Sequence, residues 1–325
     1  MESGTLWRRI GLGLVAGVIV YAAFLFWSDA RELGQHLRKF PLSVFAAALG
    51  LTLVNYLLRF AKWHWYLREL DVQVPYLESA VVFVAGMVMA VTPGKVGEVL
   101  KSFLLRRSRG IPAARTAPVV VAERVTDLLG MIGIAAVGAV VFDFGQLVLG
   151  GTALVLVAAI AVLHRPDWMR PILDLIGSIP GLTSLESSIE EAYESMRGLL
   201  GLRLLAGTTL LSIVAWSMEG AALYLILDAL DASGLTVYGA FFVYSSGTVL
   251  GAVSFLPGGL GVAEGSMIGV MHLFDYFPTR APAVLATYIV RFATLWFGVG
   301  LGCLALVTYR MVWIPDANDS TDPTD

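Results

Sequence analysis

Cysteine is nearly absent from this chain: Cys303 alone among 325 residues leaves no disulfide framework and no thiolate metal cage. Histidine is scarce as well. His36, His64, His164 and His272 fall in no HxH, HExxH or Cys/His spacing, so neither a metal centre nor a cofactor is expected. Charge is short too, at 14% of residues with 22 basic against 25 acidic, and part of that acidity sits in the tail at Asp316, Asp319, Asp322 and Asp325. With no basic stripe to release counterions from phosphates, nucleic acid is not an expected partner. What the chain has in abundance is apolar surface, 57% hydrophobic residues and a mean hydropathy of +0.77, the composition of an integral membrane protein.

A helix crossing a hydrocarbon layer about 30 Å thick needs about 20 apolar residues. Six unbroken runs qualify: Ile10 to Trp27, Pro41 to Phe60, Ala117 to Phe142, Leu147 to Leu163, Leu204 to Leu227 and Pro282 to Tyr309. Trp7-Arg8-Arg9 precedes the first run as in a signal peptide, but no small-x-small cleavage site follows before Phe24-Leu25-Phe26-Trp27, so it is kept as a mature helix.

Two more apolar regions are interrupted near their middles. Tyr76 to Leu105 is broken by Thr92-Pro93-Gly94-Lys95-Val96-Gly97-Glu98, and Tyr238 to Phe274 by Leu256-Pro257-Gly258-Gly259-Leu260-Gly261-Val262-Ala263-Glu264. Proline removes a backbone donor and glycine frees φ, so each region is expected to be a pair of short helices meeting at a Pro-Gly apex. Arg124 follows Pro93 by 31 residues and Arg291 follows Pro257 by 34, which points to an internal duplication. Between the halves, Leu182, Leu185, Ile189, Tyr193, Met196 and Leu200 keep helical spacing opposite Glu186, Glu190, Glu191 and Glu194. That stretch is an amphipathic helix with a capping box at Thr183 and Glu186, expected to serve as a lid or connector.

Orientation follows from basic residues in short loops. With the N-terminus inside, fifteen Lys and Arg fall on the cytoplasmic side, Arg59, Lys62 and Lys101 among them, against Arg31, Arg38, Lys39 and Arg280 outside. The first span alone argues the other way, because Arg31, Arg38 and Lys39 outweigh Arg8 and Arg9, so the assignment rests on the middle of the chain. It requires each broken segment to enter and leave by one face, with an odd number of spans between the apices, which makes the repeats inverted. The expected fold is an all-α polytopic membrane protein with six full spans and two Pro-Gly-broken re-entrant helical hairpins in inverted repeats. It forms one transmembrane domain: repeat one about 41–163, the connector about 164–203, repeat two about 204–310 and a disordered acidic tail 314–325. The chain is placed in the cell membrane as a multi-pass protein with both termini cytoplasmic.

A charge at membrane depth costs about 3 kcal/mol or more, so each needs a partner or a purpose. The candidates are Lys95, Glu98, Glu123, Arg124, Asp127, Glu219, Glu264 and Arg291, of which Glu123 and Asp127 share a helix face by i, i+4 spacing. In one reading the carboxylates and arginines pair to hold the hairpins in the bundle. In the other, Lys95, Arg124 and Arg291 with the apex amides around Gly94, Gly97, Gly258, Gly259 and Gly261 bind a phosphate or another anionic headgroup, and Glu98, Glu123, Asp127, Glu264 and Glu219 pair with it or couple it. Asn55 and Arg59, with Trp63 at the same spacing, are secondary candidates near the end of a span, where snorkelling and an aromatic belt account for them equally well. The GxxxG spacings Gly13/Gly17, Gly247/Gly251, Gly261/Gly265 and Gly298/Gly302 are assigned to close helix packing. Gly94-Lys95 is followed by Val96 and not by Ser or Thr, and Gly259-Leu260-Gly261 lies in no βαβ context, so neither is a nucleotide loop. No Ser/His/Asp or Cys/His arrangement stands out, and the chain is not expected to be an enzyme.

Three motifs in order, Thr92-Pro93-Gly94-Lys95-Val96-Gly97-Glu98, Glu123-Arg124-Val125-Thr126-Asp127-Leu128-Leu129 and Pro257-Gly258-Gly259-Leu260-Gly261-Val262-Ala263-Glu264, with Asn55 and Arg59 upstream, resemble the lysylphosphatidylglycerol synthase transmembrane-domain family over about residues 10 to 310. The resemblance implies a flippase-like membrane domain that moves an aminoacylated phospholipid between leaflets, and it marks Glu98, Glu123, Arg124, Asp127 and Glu264 as functional candidates, with Lys95 at a position where the family pattern varies. The family's synthase activity belongs to a soluble acyltransferase-like domain fused after the membrane part. This chain ends at Asp325 with no such domain and is not expected to make lysylphosphatidylglycerol. Stand-alone relatives are similar to proteins linked with polyprenyl-phosphate sugar or envelope pathways.

The expected function is a lipid flippase-like transporter that carries an anionic phospholipid or polyprenyl-phosphate-linked headgroup between leaflets through a midplane charged cavity. The alternatives are a proton-coupled secondary transporter of a small anionic solute, and a non-transporting subunit that presents lipid to a glycosyltransferase. The expected partners are a membrane lipid substrate, with an envelope glycosyltransferase or lipid-synthesis enzyme and a second copy of the chain as further candidates.

Overall fold

A computed structural model describes residues 3–92, 97–142 and 186–313, with isolated positions between 150 and 165. Among these the chain is helical, with no strand. The helices are α1 Ser3–Trp27, α2 Ala30–Lys39, α3 Leu42–Glu69, α4 Tyr76–Gly86, α5 Leu100–Arg109, α6 Ala113–Phe142, α7 Glu186–Leu199, α8 Leu202–Asp228, α9 Val237–Val253, α10 Val262–Leu273, α11 Arg280–Arg291 and α12 Phe297–Trp313. The span expected at Leu147 to Leu163 is described only at isolated positions, and the capping box at Thr183 and Glu186 and the tail 314–325 lie outside the described side chains.

Three helical stretches are long and apolar enough to cross a membrane: α3, α8 and the run Arg280–Trp313, in which α11 and α12 join through a π-helical turn at Phe292–Trp296. The 30-residue α6 has the length as well, but carries Glu123, Arg124 and Asp127 along its middle. The connector expected to be amphipathic forms α7, which packs on α6. The loop expected after the first span holds α2, capped where the Asp29 carboxylate accepts the Arg31 and Glu32 amides at 2.8 and 3.1 Å.

Both Pro-Gly regions break their helices. α4 tightens into a 3-10 turn at Met87–Val91 before the first apex, and α5 packs beside α4 on the return. α9 ends at a 3-10 turn, Pro257–Gly259, and α10 packs back along it. Gly258, Gly259 and Gly261 sit at φ of 61°, 67° and 85°, the left-handed region that a side chain disfavours. At Gly259 a Cβ would also lie 3.0 Å from the Gly251 Cα, so close approach of the two backbones adds to the requirement.

The turn that precedes the first Pro-Gly break meets the second apex. The Met87–Val91 turn touches Pro257–Gly259, and Val91, Leu260, Leu295 and Val299 form a small apolar cluster there. Around this point the helices pair in a way that survives exchange of the two halves: α3 packs on α8, α4 on α12, and α9 on α6, while α5 rests on α6 as α10 rests on α11. Gly17, Gly247, Gly251, Gly298 and Gly302 lie at tight crossings, whereas Gly261 and Gly265 do not. A Cβ on Gly302 would sit 2.5 Å from the Val88 amide nitrogen, one on Gly247 2.6 Å from Met267, and one on Gly17 2.5 Å from the Trp296 ring.

Candidate functional site

Local spacing places the acids of α6 on one face, and tertiary packing supplies their partners from other helices. Asp127, almost fully buried, is ion-paired to Lys62 of α3, accepts from Ser212 of α8 at 3.0 Å, and has Arg124 at 3.1 Å and Arg59 at 4.0 Å. Lys62 in turn donates to Ser212 at 2.7 Å and Thr126 at 3.2 Å. Glu123 is ion-paired to Lys101 of α5, whose ammonium lies 4.4 Å from the Trp63 ring centre and 5.3 Å from that of Phe83. Glu98 faces Arg124 at 3.2 Å and Lys101 at 4.0 Å. The result is one continuous network of alternating charge that ties α3, α5, α6 and α8 together.

The second half is organised differently. Arg291 donates through Nε to Glu264 at 2.7 Å and through Nη2 to the Gly258 carbonyl at 2.7 Å. The other oxygen of Glu264 accepts the Gly261 amide at 2.7 Å, capping the start of α10 from its third residue. The amides of Gly259 and Leu260 bond to Leu256 and Pro257 carbonyls. At this apex the backbone groups are therefore satisfied internally, and Gly258, Gly259 and Gly261 hold the chain's shape.

Between the two networks lies a central cavity of about 60 Å³, large enough for a few water molecules. Arg59 and Glu98 enter it from the first half, and Glu219, Tyr244 and Arg291 from the second. Tyr244 donates its hydroxyl to Glu219. Tyr56 closes one wall by donating to the Thr294 carbonyl inside the π-helical turn that begins directly after Arg291. Arg59 is 9% exposed, lies 5.3 Å from the Trp216 ring, and has an Nε with no hydrogen-bond partner among the described residues. Asn55, one turn before it, donates to the Ala215 carbonyl at 2.8 Å and joins α3 to α8.

Of the residues singled out in the sequence, the structure brings Glu98, Arg59, Glu219 and Arg291 to one cavity, with Arg124, Glu123 and Asp127 behind Glu98 and Arg59, and Glu264 behind Arg291. Gly97 stands at the first apex, its amide on the Thr92 hydroxyl at 3.0 Å. Gly94 and Lys95 lie outside the described residues. Three cations assigned to the cytoplasmic side need correction. Arg59, Lys62 and Lys101 are interior, at 9%, 1% and 2% exposure, because buried acids of other helices hold them at bundle depth in place of snorkelling to the surface. Sequence reasoning missed Lys62 and Lys101 as site residues. The available signal was spacing: Lys62 stands three after Arg59, and Lys101 three after Glu98. It also missed Glu78, 1% exposed, whose carboxylate takes Arg109 Nε at 2.8 Å and ties α4 to the end of α5.

Comparison with known proteins places the chain among membrane proteins. A UPF0104 membrane protein of Methanocaldococcus jannaschii is 27% identical over 222 residues, covering 64% of this chain and 90% of its own length. A second UPF0104 membrane protein, from Methanothermobacter thermautotrophicus, is 23% identical over 90% of this chain and 93% of its own. The glycosyltransferase AglD of Haloferax volcanii is 25% identical over 88% of this chain, which spans about half, 52%, of AglD's length. The model of the lysylphosphatidylglycerol synthase TM region matches residues 14–302, nearly the whole helical bundle with both apices and both charge networks, and the chain belongs to that family of membrane proteins.

Proposed function

We propose that the protein is a flippase-like transporter that moves an anionic phospholipid or a polyprenyl-phosphate-linked headgroup between leaflets. The observation that carries this reading is that Arg59 and Arg291, from opposite halves of the chain, line one central cavity at the meeting point of two broken helices. A guanidinium suits a phosphate because its planar fork gives two donors in one direction, and in a site shielded from water that pairing is strong. Glu98 and Glu219 on the same walls balance the arginines while the cavity holds no anion. Helix pairings that persist when the halves are exchanged support inverted repeats with re-entrant hairpins, an architecture suited to alternating access around a fixed site. Cytoplasmic termini are part of this reading, and the basic residues support them: with the interior Arg59, Lys62 and Lys101 taken out of the count of fifteen, twelve remain on that side against four on the other.

The test is a leaflet-exchange assay in proteoliposomes with a headgroup-labelled phosphatidylglycerol and, separately, a labelled polyprenyl phosphate. Wild type should exchange one of them, and Arg59→Gln should lose that exchange while keeping its thermal transition in detergent. Wild-type protein that exchanges neither would sink the reading.

A second reading draws support from AglD, which is named as a glycosyltransferase and whose length is about twice the stretch matched here. In that reading the bundle presents a lipid-linked headgroup to a glycosyltransferase and does not move it. Co-purification of such an enzyme in fixed ratio, with no exchange activity, would favour it.

A further inference from the structure

Helix α1 is fastened to the bundle along one stripe. Gly17 lies against Trp296, and the Tyr21 hydroxyl accepts the Trp296 indole N–H at 2.9 Å while its ring stands 4.7 Å from that of Tyr288. The adjacent stripe, Val20, Ala23, Phe24 and Trp27, follows i, i+3, i+4, i+7 spacing and lines a groove of about 360 Å³ closed on its far side by Gly261. α10 leaves this space open because it presents glycines there: Val20 Cγ2 lies 3.9 Å from where a Gly261 Cβ would be, and Phe24 Cζ 3.6 Å from a Gly265 Cβ. The Gly261/Gly265 spacing thus leaves a channel beside the second apex. At one end, Trp27 carries the exposed Arg280 guanidinium 4.2 Å from its ring centre. The nearby acid Glu32 accepts from the Thr279 hydroxyl at 2.5 Å and faces His36 at 3.8 Å. At the other end, Gly261 donates to Glu264, and Glu264 holds Arg291 on the wall of the central cavity.

We propose that this groove is a binding site for one hydrocarbon chain of a membrane phospholipid. The chain lies along α1 from Trp27 toward Gly261, with the lipid phosphate at Arg280. Val20 to Trp27 covers about 10 Å along the helix, so the chain runs from a Trp-Arg pair of the kind found at membrane interfaces toward the apex at depth. The apolar lining and the cation at one end match the two parts of an anionic lipid. The site lies one carboxylate away from the cavity arginine, which makes it the point where cargo waits beside the transport pathway. Its place in transport rests on the flippase-like reading, but its detection does not.

The test uses full-length protein in nanodiscs with phosphatidylglycerol that bears a diazirine in one acyl chain, followed by peptide mapping of the crosslinks. Labelling at Val20, Ala23 and Phe24 should exceed that at the outward-facing Val15, Val18, Ile19 and Phe26 by about five-fold or more, and Gly265→Leu or Ala23→Trp should remove the excess while leaving the outward positions unchanged. Even labelling around α1, as bulk lipid would give, overturns the groove, as does an excess that both substitutions leave intact. Groove labelling in wild-type protein that exchanges no lipid would keep the site and discard the transport reading. If both variants fold poorly, the wild-type pattern decides.

Discussion

The two apices differ in how their charges are held. At the second, Arg291 of α11 bonds to Glu264 and to the Gly258 carbonyl, and Glu264 accepts the Gly261 amide, so one ion pair and the loop backbone form one unit. At the first, Glu98, Glu123 and Asp127 are shared among Arg59 and Lys62 of α3, Lys101 of α5 and Arg124 of α6. A local pair shapes a loop, whereas a shared network joins helices and can redistribute when one member changes. The second apex is thereby suited to be a fixed wall, and the first to respond to what enters the cavity.

The comparison breaks hardest at Arg291. Arg291→Ala strands Glu264, which is fully buried, and removes the donor to Gly258, so the loss should reach about 3–5 kcal/mol, visible as a lower thermal transition and poor recovery from detergent. Arg291→Ala with a transition like wild type would show that the pair does not hold the apex. Lys101→Met should come next, with a loss of about 3 kcal/mol or more, because Glu123 is left buried beside Trp63. Adding Glu123→Leu to Lys101→Met should recover most of it, and a double-mutant cycle with no coupling would argue against the pair. Gly302→Ala drives a Cβ to within 2.5 Å of the Val88 backbone nitrogen and should cost about 1–3 kcal/mol, read by thermal unfolding, where Gly300→Ala, with open space, should not. Smallest in stability, yet large in exchange activity, is Arg59→Gln: Asp127 keeps Lys62, Ser212 and Arg124, so the shift should stay below about 1 kcal/mol while lipid exchange falls. Equal losses of fold and exchange at Arg59 would erase the distinction between the two apices.

The all-helical membrane class was legible because apolar runs and Pro-Gly breaks are local, and the family motifs lie in continuous stretches. Much of the site was legible for the same reason: Glu123, Arg124 and Asp127 lie within one helical turn and a half, and charge in an apolar run stands out. Lys62 and Lys101 did not stand out, because each falls at the polar fringe of a run, where a snorkelling lysine is ordinary.

By itself the sequence determined where the long apolar helices run, where two of them break, and that several charges within those runs must be accommodated. Each of these follows from the cost of exposing apolar surface to water or a polar group to hydrocarbon, which acts residue by residue. Only the tertiary structure decided which charges meet. Lys62 finds Asp127 across 65 positions of sequence, and Arg291 finds the Gly258 carbonyl across 33. It also carried α3 on to Glu69, so that Arg59, which the apolar run placed near the end of a span, lies inside the helix and lines the cavity. Helical spacing relates residues three or four apart on one helix, whereas these partners are chosen by how separate helices pack and by the penalty on any buried charge left alone.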